Sequence, residues 1–269
     1  MPLTAASFRR LIAATWLCGL LAACGGGGSD ASPVMEGTLQ NESMRSALTA
    51  TDYPLDIYVP PASAGPRGSL PVVYVLDGES WFHTLVAQVE AARTRVIIVG
   101  IGTAGQRGRD FVPGNTCTPG GGGEGAYFAF LRDELIPHIE RTVGGDPAQR
   151  AIFGHSHGGS FVLYAMFAQA PGAHTFRSYL ASDASISCMQ GTADAWEVAY
   201  AAANRTLPVR LHLSYATQGN YFPNLTYAAT IAQLGFGGLA FVSQSYPGGH
   251  SGIVPQVLAE AVPFALRSP

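Results

Sequence analysis

The sequence predicts a single α/β domain on a mostly parallel sheet with helices on both faces, and three observations carry that expectation. Short apolar, β-branched runs at 71–76 and 95–101 read as strands buried on both faces. Segments of helical period alternate with such runs along the rest of the chain, at lengths that suit strand–helix–strand crossovers. One join, Ala151-Ile152-Phe153-Gly154-His155-Ser156-His157-Gly158-Gly159, passes from strand to helix through a glycine-flanked turn.

Taken in order, Tyr53 to Val59 alternates as a strand should, and Pro60-Pro61 through Gly68 forms a loop. The strand ending at Leu76 is followed by a helix over 81–93 and then the strand ending at Ile101. Residues 102–125 are glycine-rich and too long for a plain connection, the mark of a functional or a disordered loop. From 126 to 143, Phe128, Leu131, Leu135 and Ile139 recur at helical spacing, and Pro137 should kink that helix. Beyond it the pattern gives strands at 150–153, 176–181, 209–215 and 239–245, with helices at 158–170, 225–234 and 254–266.

The N-terminus reads as an address. Arg9 and Arg10 precede an apolar run from Leu11 to Ala23 that is too short to span a bilayer, so residues 1–23 are expected to be a signal peptide. The run ends Leu21-Ala22-Ala23-Cys24, which resembles the lipobox of bacterial lipoproteins. That resemblance implies a lipid-anchored chain in the cell envelope, with Cys24 its lipidated first residue, and the lack of an aspartate after Cys24 points to the outer membrane. An ordinary signal peptide with an incidental Cys24 is the other reading. Residues 24–45 are expected to be a tether and linker, and 46–269 the folded domain. In an oxidising compartment Cys117 and Cys188 are left to pair in a disulfide or to stay as two free thiols.

Composition narrows the function. The 269 residues are 47% hydrophobic and 12% charged, which is globular, and a net charge of −3 with no basic run offers no footprint for nucleic acid. All 15 basic residues are arginine, which excludes mechanisms built on a lysine amine, such as a P-loop, a Schiff base or a Ser-Lys dyad.

The 151–159 segment contains G-x-S-x-G between a strand and a helix, the setting of a nucleophile elbow, and makes Ser156 the candidate nucleophile. The backbone N–H of His157, opening the helix, then points where an oxyanion would form. A serine hydroxyl needs a base, and the chain order of such sites puts the histidine after the last strand, where His250 stands in Gly248-Gly249-His250-Ser251. His155 and His157 lack the cysteine or carboxylate cluster that would complete a metal site, so no metal or cofactor is expected.

The acid is less clear. It would normally follow the strand ending near Tyr215, yet Ala216-Thr217-Gln218-Gly219-Asn220 holds no carboxylate. Asp183, one strand earlier, either orients His250 or merely caps its turn, with Gln218 or Asn220 sufficing in a Ser-His dyad. The loop Val75-Leu76-Asp77-Gly78-Glu79 supplies a second oxyanion donor in the N–H of Glu79, and Trp81 and Phe82 behind it either line the substrate pocket or, as aromatics starting a helix, belong to the core.

Several motifs together resemble the esterase branch of the α/β-hydrolases, which holds enterobactin-type siderophore esterases, feruloyl esterases, S-formylglutathione hydrolases and mycolyl transferases. They are Tyr74-Val75-Leu76-Asp77-Gly78-Glu79 with Trp81, Val99-Gly100-Ile101-Gly102, Arg109-Asp110-Phe111-Val112-Pro113, Phe130-Leu131 through Pro137, the elbow, and Gly249-His250. The resemblance implies an α/β-hydrolase fold, Ser156 as nucleophile, His250 as base, and Glu79 and His157 as oxyanion donors. It also implies hydrolysis of small-molecule carboxylic esters, of siderophore or aryl type, through an acyl-serine. Acyl transfer to an alcohol and a degenerate, binding lipoprotein are the alternatives. An acidic catecholate would call for an arginine-lined site, for which Arg107 and Arg109 are the candidates, although Arg109-Asp110 equally reads as a structural ion pair.

Overall fold

The structure is a computed structural model and describes residues 36–114, 117–189 and 193–267. The expected signal peptide, Cys24 and the first part of the tether lie outside the described residues.

The strands are β1 (Thr38–Arg45), β2 (Asp52–Val59), β3 (Val72–Leu76), β4 (Ile97–Ile101), β5 (Arg150–His155), β6 (Ser178–Ser182), β7 (Arg210–Gln218) and β8 (Ala240–Gly249). They form one eight-stranded sheet in the order β1-β2-β4-β3-β5-β6-β7-β8. β1 and β2 pair antiparallel with their neighbours, and all remaining pairs are parallel.

The helices are α1 (Gly78–Ala91), α2 (Arg107–Phe111), α3 (Glu124–Ala129), α4 (Ile136–Thr142), α5 (His157–Phe167), α6 (Ala193–Ala203), α7 (Tyr221–Leu234) and α8 (Val254–Leu266). The sheet is buried on both sides, as its apolar strands require. Tyr74 and Leu76 of β3 face a core shared with Phe111, Phe130, Phe161 and Tyr179, while Val73 and Val75 face one shared with Leu85 of α1 and Leu258 of α8. This is the expected doubly covered α/β architecture.

Some local readings change. The linker assigned to 24–45 contains β1, an edge strand paired along its length with β2. Its sequence, TLQNESMR, is exposed almost throughout, so no buried face imposes a period of two. The 102–125 loop contains the short α2. Helices α3 and α4 are joined by a π-helical stretch, Phe130–Leu135, that ends just before Pro137, a residue with no N–H to continue the ladder. Thus the break foreseen at Pro137 falls in the turn preceding it. Helix α6 was not foreseen from the sequence pattern.

Candidate active site

The parallel strands β3 and β5 to β8 all end at one edge of the sheet, and the site is built from the loops that leave them. β5 stops at His155 and α5 begins at His157, which forces the intervening Ser156 to φ 60°, ψ −120°. Such a backbone costs about 1–3 kcal/mol in an L-residue and persists only where its neighbours hold it. Here the Ser156 N–H donates to the Ser182 carbonyl at 2.9 Å, and the Ser156 carbonyl accepts from the Ser185 and Ser160 N–H groups, each at 3.1 Å. The turn can be this tight because residue 154 is glycine: a Cβ there would lie 2.2 Å from the Gly158 carbonyl oxygen.

β8 delivers His250 to the same edge, and β6 delivers Asp183. The Nδ1 of His250 lies 2.5 Å from Oδ2 of Asp183, whose side chain is wholly buried. Two backbone N–H groups converge on that carboxylate as well, Ala216 on Oδ1 at 2.9 Å and Asn220 on Oδ2 at 3.2 Å. The Ala216 N–H is available because β6 ends at Ser182, opposite Ser214, so no strand pairs with that side of β7 at Ala216. The Asn220 amide fixes the turn from behind by donating to the Asp183 carbonyl at 3.0 Å. Gly219 completes the fit, since a Cβ at 219 would lie 2.3 Å from Asp183 Oδ2 and 3.2 Å from the His250 Cα. The segment without a carboxylate is therefore the seat of Asp183, which the structure brings against His250.

The Ser156 hydroxyl is paired with the Ser185 hydroxyl at 3.2 Å. Ser156 and His250 line one cavity of about 280 Å³ with Asp77, Glu79, Trp81, Arg107 and His155. On its far wall, Asp77 adopts a left-handed backbone (φ 53°, ψ 48°) and starts α1, so Glu79 lies in the first helical turn, where N–H groups have no intrahelical acceptor. The Glu79 carboxylate itself turns to Thr103, accepting from its hydroxyl at 2.6 Å. His157, first residue of α5, presents the second such N–H beside the nucleophile.

An ion pair braces these two walls. Arg107 donates to both carboxylate oxygens of Asp77 at 2.6 and 3.0 Å and to the His155 carbonyl at 3.1 Å, tying the start of α1 to the end of β5. Burial pushes the Asp77 carboxyl above its ordinary value, and Arg107 opposes that push. His155, which the sequence analysis gave no role, sits under the base: its ring centroid is 4.4 Å from that of His250 and 5.4 Å from that of Trp81. Burial, reinforced by the neighbouring His250, pushes its imidazole down to about 3, so it stays neutral. Burial likewise lowers His157, with Arg107 and His250 adding to the effect.

Two substrate-binding expectations are corrected. Phe82 is 1% exposed and packs in the core between the sheet and α1, because it lies on the inward face of α1 and covers Gly100. Arg109 does not line the cavity; it is held by Asp110 at 2.7 Å and by Thr51 and Tyr53, each at 3.0 Å. Trp81 is the aromatic that does reach the cavity. Ser185 was missed, having no sequence signal beyond its place two residues after Asp183. Cys117 and Cys188 are bonded, with Cα atoms 5.2 Å apart, and so fasten the long loop to the turn that follows Asp183.

Comparison with known proteins gives the family and the fold. A family model described as "Putative esterase" matches residues 46–221. The chain is 33% identical over 151 residues to the ferri-bacillibactin esterase BesA of Bacillus subtilis, covering 47% of this chain and 51% of that one. It is also 33% identical over 139 residues to the siderophore triacetylfusarinine C esterase of Aspergillus fumigatus, covering 45% and 46% of the two chains. The chain thus spans about half the length of the curated relatives it matches. Among solved structures, an IroE-like serine hydrolase from Shewanella oneidensis superposes with a TM-score of 0.76 at 24% identity, covering 85% of this chain and 80% of that one, which shows the α/β-hydrolase fold.

Proposed function

Because the chain belongs to the family that the "Putative esterase" model describes, we propose that it is a serine hydrolase of carboxylic esters, with siderophore-type or aryl esters as its substrates. The observation that carries the reading is the Asp183–His250 bond set beside a strained, cavity-facing Ser156.

The chemistry follows from the placement of each group. With its Nδ1–H donated to Asp183, the His250 imidazole keeps Nε2 as its basic nitrogen. That nitrogen takes the Ser156 proton as Oγ attacks the ester carbonyl. The oxygen that becomes anionic accepts from the N–H groups of Glu79 and His157, which are fixed before the reaction and need no reorganisation during it. As the tetrahedral species collapses, the carbon–oxygen bond to the alcohol breaks, and His250 passes its proton to the departing oxygen. Water, deprotonated by His250, then cleaves the acyl-serine and releases the acid.

The same proposal places the mature protein in the bacterial envelope, anchored through Cys24. The lipobox-like sequence supports that reading, and the Cys117–Cys188 bond supports an oxidising compartment.

Ser156→Ala tests the function: the variant should retain its fold and thermal transition and hydrolyse no aryl ester above background. Ester turnover at the unmodified rate in that variant would overturn it.

A further inference from the structure

The distribution of arginine along the chain is the feature that the reaction leaves unexplained. With no lysine present, arginine is the sole permanent side-chain cation. Arg93, Arg95, Arg150, Arg177 and Arg210 lie at the edge of the sheet where β4 to β7 begin, opposite the site. On the elements that reach the site's edge at the end of β1 and in α2, the arginines are Arg45, Arg107 and Arg109. Each is neutralised by an aspartate: Arg45 by Asp52 at 2.5 Å, Arg107 by Asp77 at 2.6 Å and Arg109 by Asp110 at 2.7 Å. Residues 115, 116 and 190–192, outside the described set, include no basic residue. What remains charged in the cavity wall is Glu79, exposed and held by a neutral hydroxyl.

From this pattern we infer that the esters taken by this site carry no net negative charge, and that among iron chelators they are of the hydroxamate and not the catecholate type. The inference rests on the esterase reading above and narrows its substrate. The physical ground is simple. A ferric trihydroxamate is electrically neutral, because each hydroxamate loses one proton. A ferric triscatecholate keeps a multiple negative charge, which would meet the Glu79 carboxylate, while the arginine of the cavity wall among the described residues, Arg107, is already paired with Asp77. Where the arms of either chelator class are joined through ester bonds, Ser156 could attack the same carbonyl, so charge and not the reacting bond decides between them.

The test compares para-nitrophenyl esters that share a leaving group and differ in charge: the neutral butyrate, the anionic hemisuccinate and the cationic trimethylammoniobutyrate. At low ionic strength kcat/KM for the neutral and cationic esters should exceed that for the anionic one by at least about tenfold, and the gap should narrow in high salt as the charges are screened. Glu79→Gln, which keeps the backbone N–H, should also narrow the gap; only the ratio is read, so any change in oxyanion binding common to all three esters cancels. A ferric trihydroxamate triester should likewise be cleaved faster than a ferric triscatecholate trilactone. Equal kcat/KM for the three charges, or preference for the triscatecholate, would overturn the inference while leaving the esterase reading intact. Failure to cleave any of these esters, together with no covalent labelling of Ser156 by a fluorophosphonate, would overturn both.

Discussion

The Nδ1 of His250 and Oδ2 of Asp183 lie 2.5 Å apart although β7 separates the strands that carry them, in a sheet ordered β6-β7-β8. Asp183 crosses behind the end of β7, in the space left by a glycine at 219, and is held there by the Ala216 and Asn220 N–H groups. Asp183 thus reaches His250 from one strand further away than the usual chain order suggests.

Asp183→Asn should leave the fold intact and lower kcat by up to about 10⁴-fold, because the imidazole would be held in the wrong tautomer and its cation left unsupported. Steady-state kinetics alongside a thermal melt checks this. A kcat near that of the unmodified protein would assign the orienting role elsewhere.

Gly219→Ala should act on the same pair from outside it. The added Cβ would meet Asp183 Oδ2 at 2.3 Å, so the carboxylate or the turn must shift, and a displacement of about 1 Å in a catalytic group is worth ~10²-fold in rate. Asp183→Asn and Gly219→Ala should be far less than additive when combined, since both disable one interaction.

Two buried histidines make stability depend on acid. Burial pushes His155 down to about 3 and His212, which packs on Phe264, down to about 4, from an ordinary value of 6.5. Below that ordinary value the unfolded chain takes up protons that the folded chain refuses. Stability is therefore fully present above it and is lost as pH falls toward the folded values. By about pH 5 each group costs about 2 kcal/mol. Urea denaturation near neutrality and at that pH measures the difference, and His212→Phe should remove roughly half of it. Equal unfolding free energies at the two pH values would contradict the burial argument.

Because burial keeps His155 neutral, it adds no proton of its own to the acid limb of kcat/KM. The limb should fall with unit slope, and His155→Phe should keep that slope while altering the rate through the lost support beneath His250. A steeper limb would show a second titrating group in the reaction.

The sheet, the elbow and His250 were legible in the sequence because each is written locally. Double-sided burial demands apolar runs, a strained turn demands flanking glycines, and chain order places the base after the last strand. Asp183 was only half legible: its role depends on a gap two strands away, filled by atoms that no local pattern connects. Arg107 and Arg109 are two residues apart and of one type, yet one faces the cavity and the other is bound to Tyr53 and Asp110, a difference set by the turn of the short α2. β1 was illegible for the opposite reason, since an exposed edge strand held by backbone hydrogen bonds leaves its side chains unconstrained.

The central claim is that Ser156 is an activated nucleophile served by His250. Peptide mass mapping after treatment of the purified protein with a fluorophosphonate measures this without knowledge of the substrate. A single adduct on Ser156, lost in His250→Ala and strongly slowed in Asp183→Asn, is the predicted result. A well-folded protein that acquires no adduct, or acquires one on another serine, would contradict it.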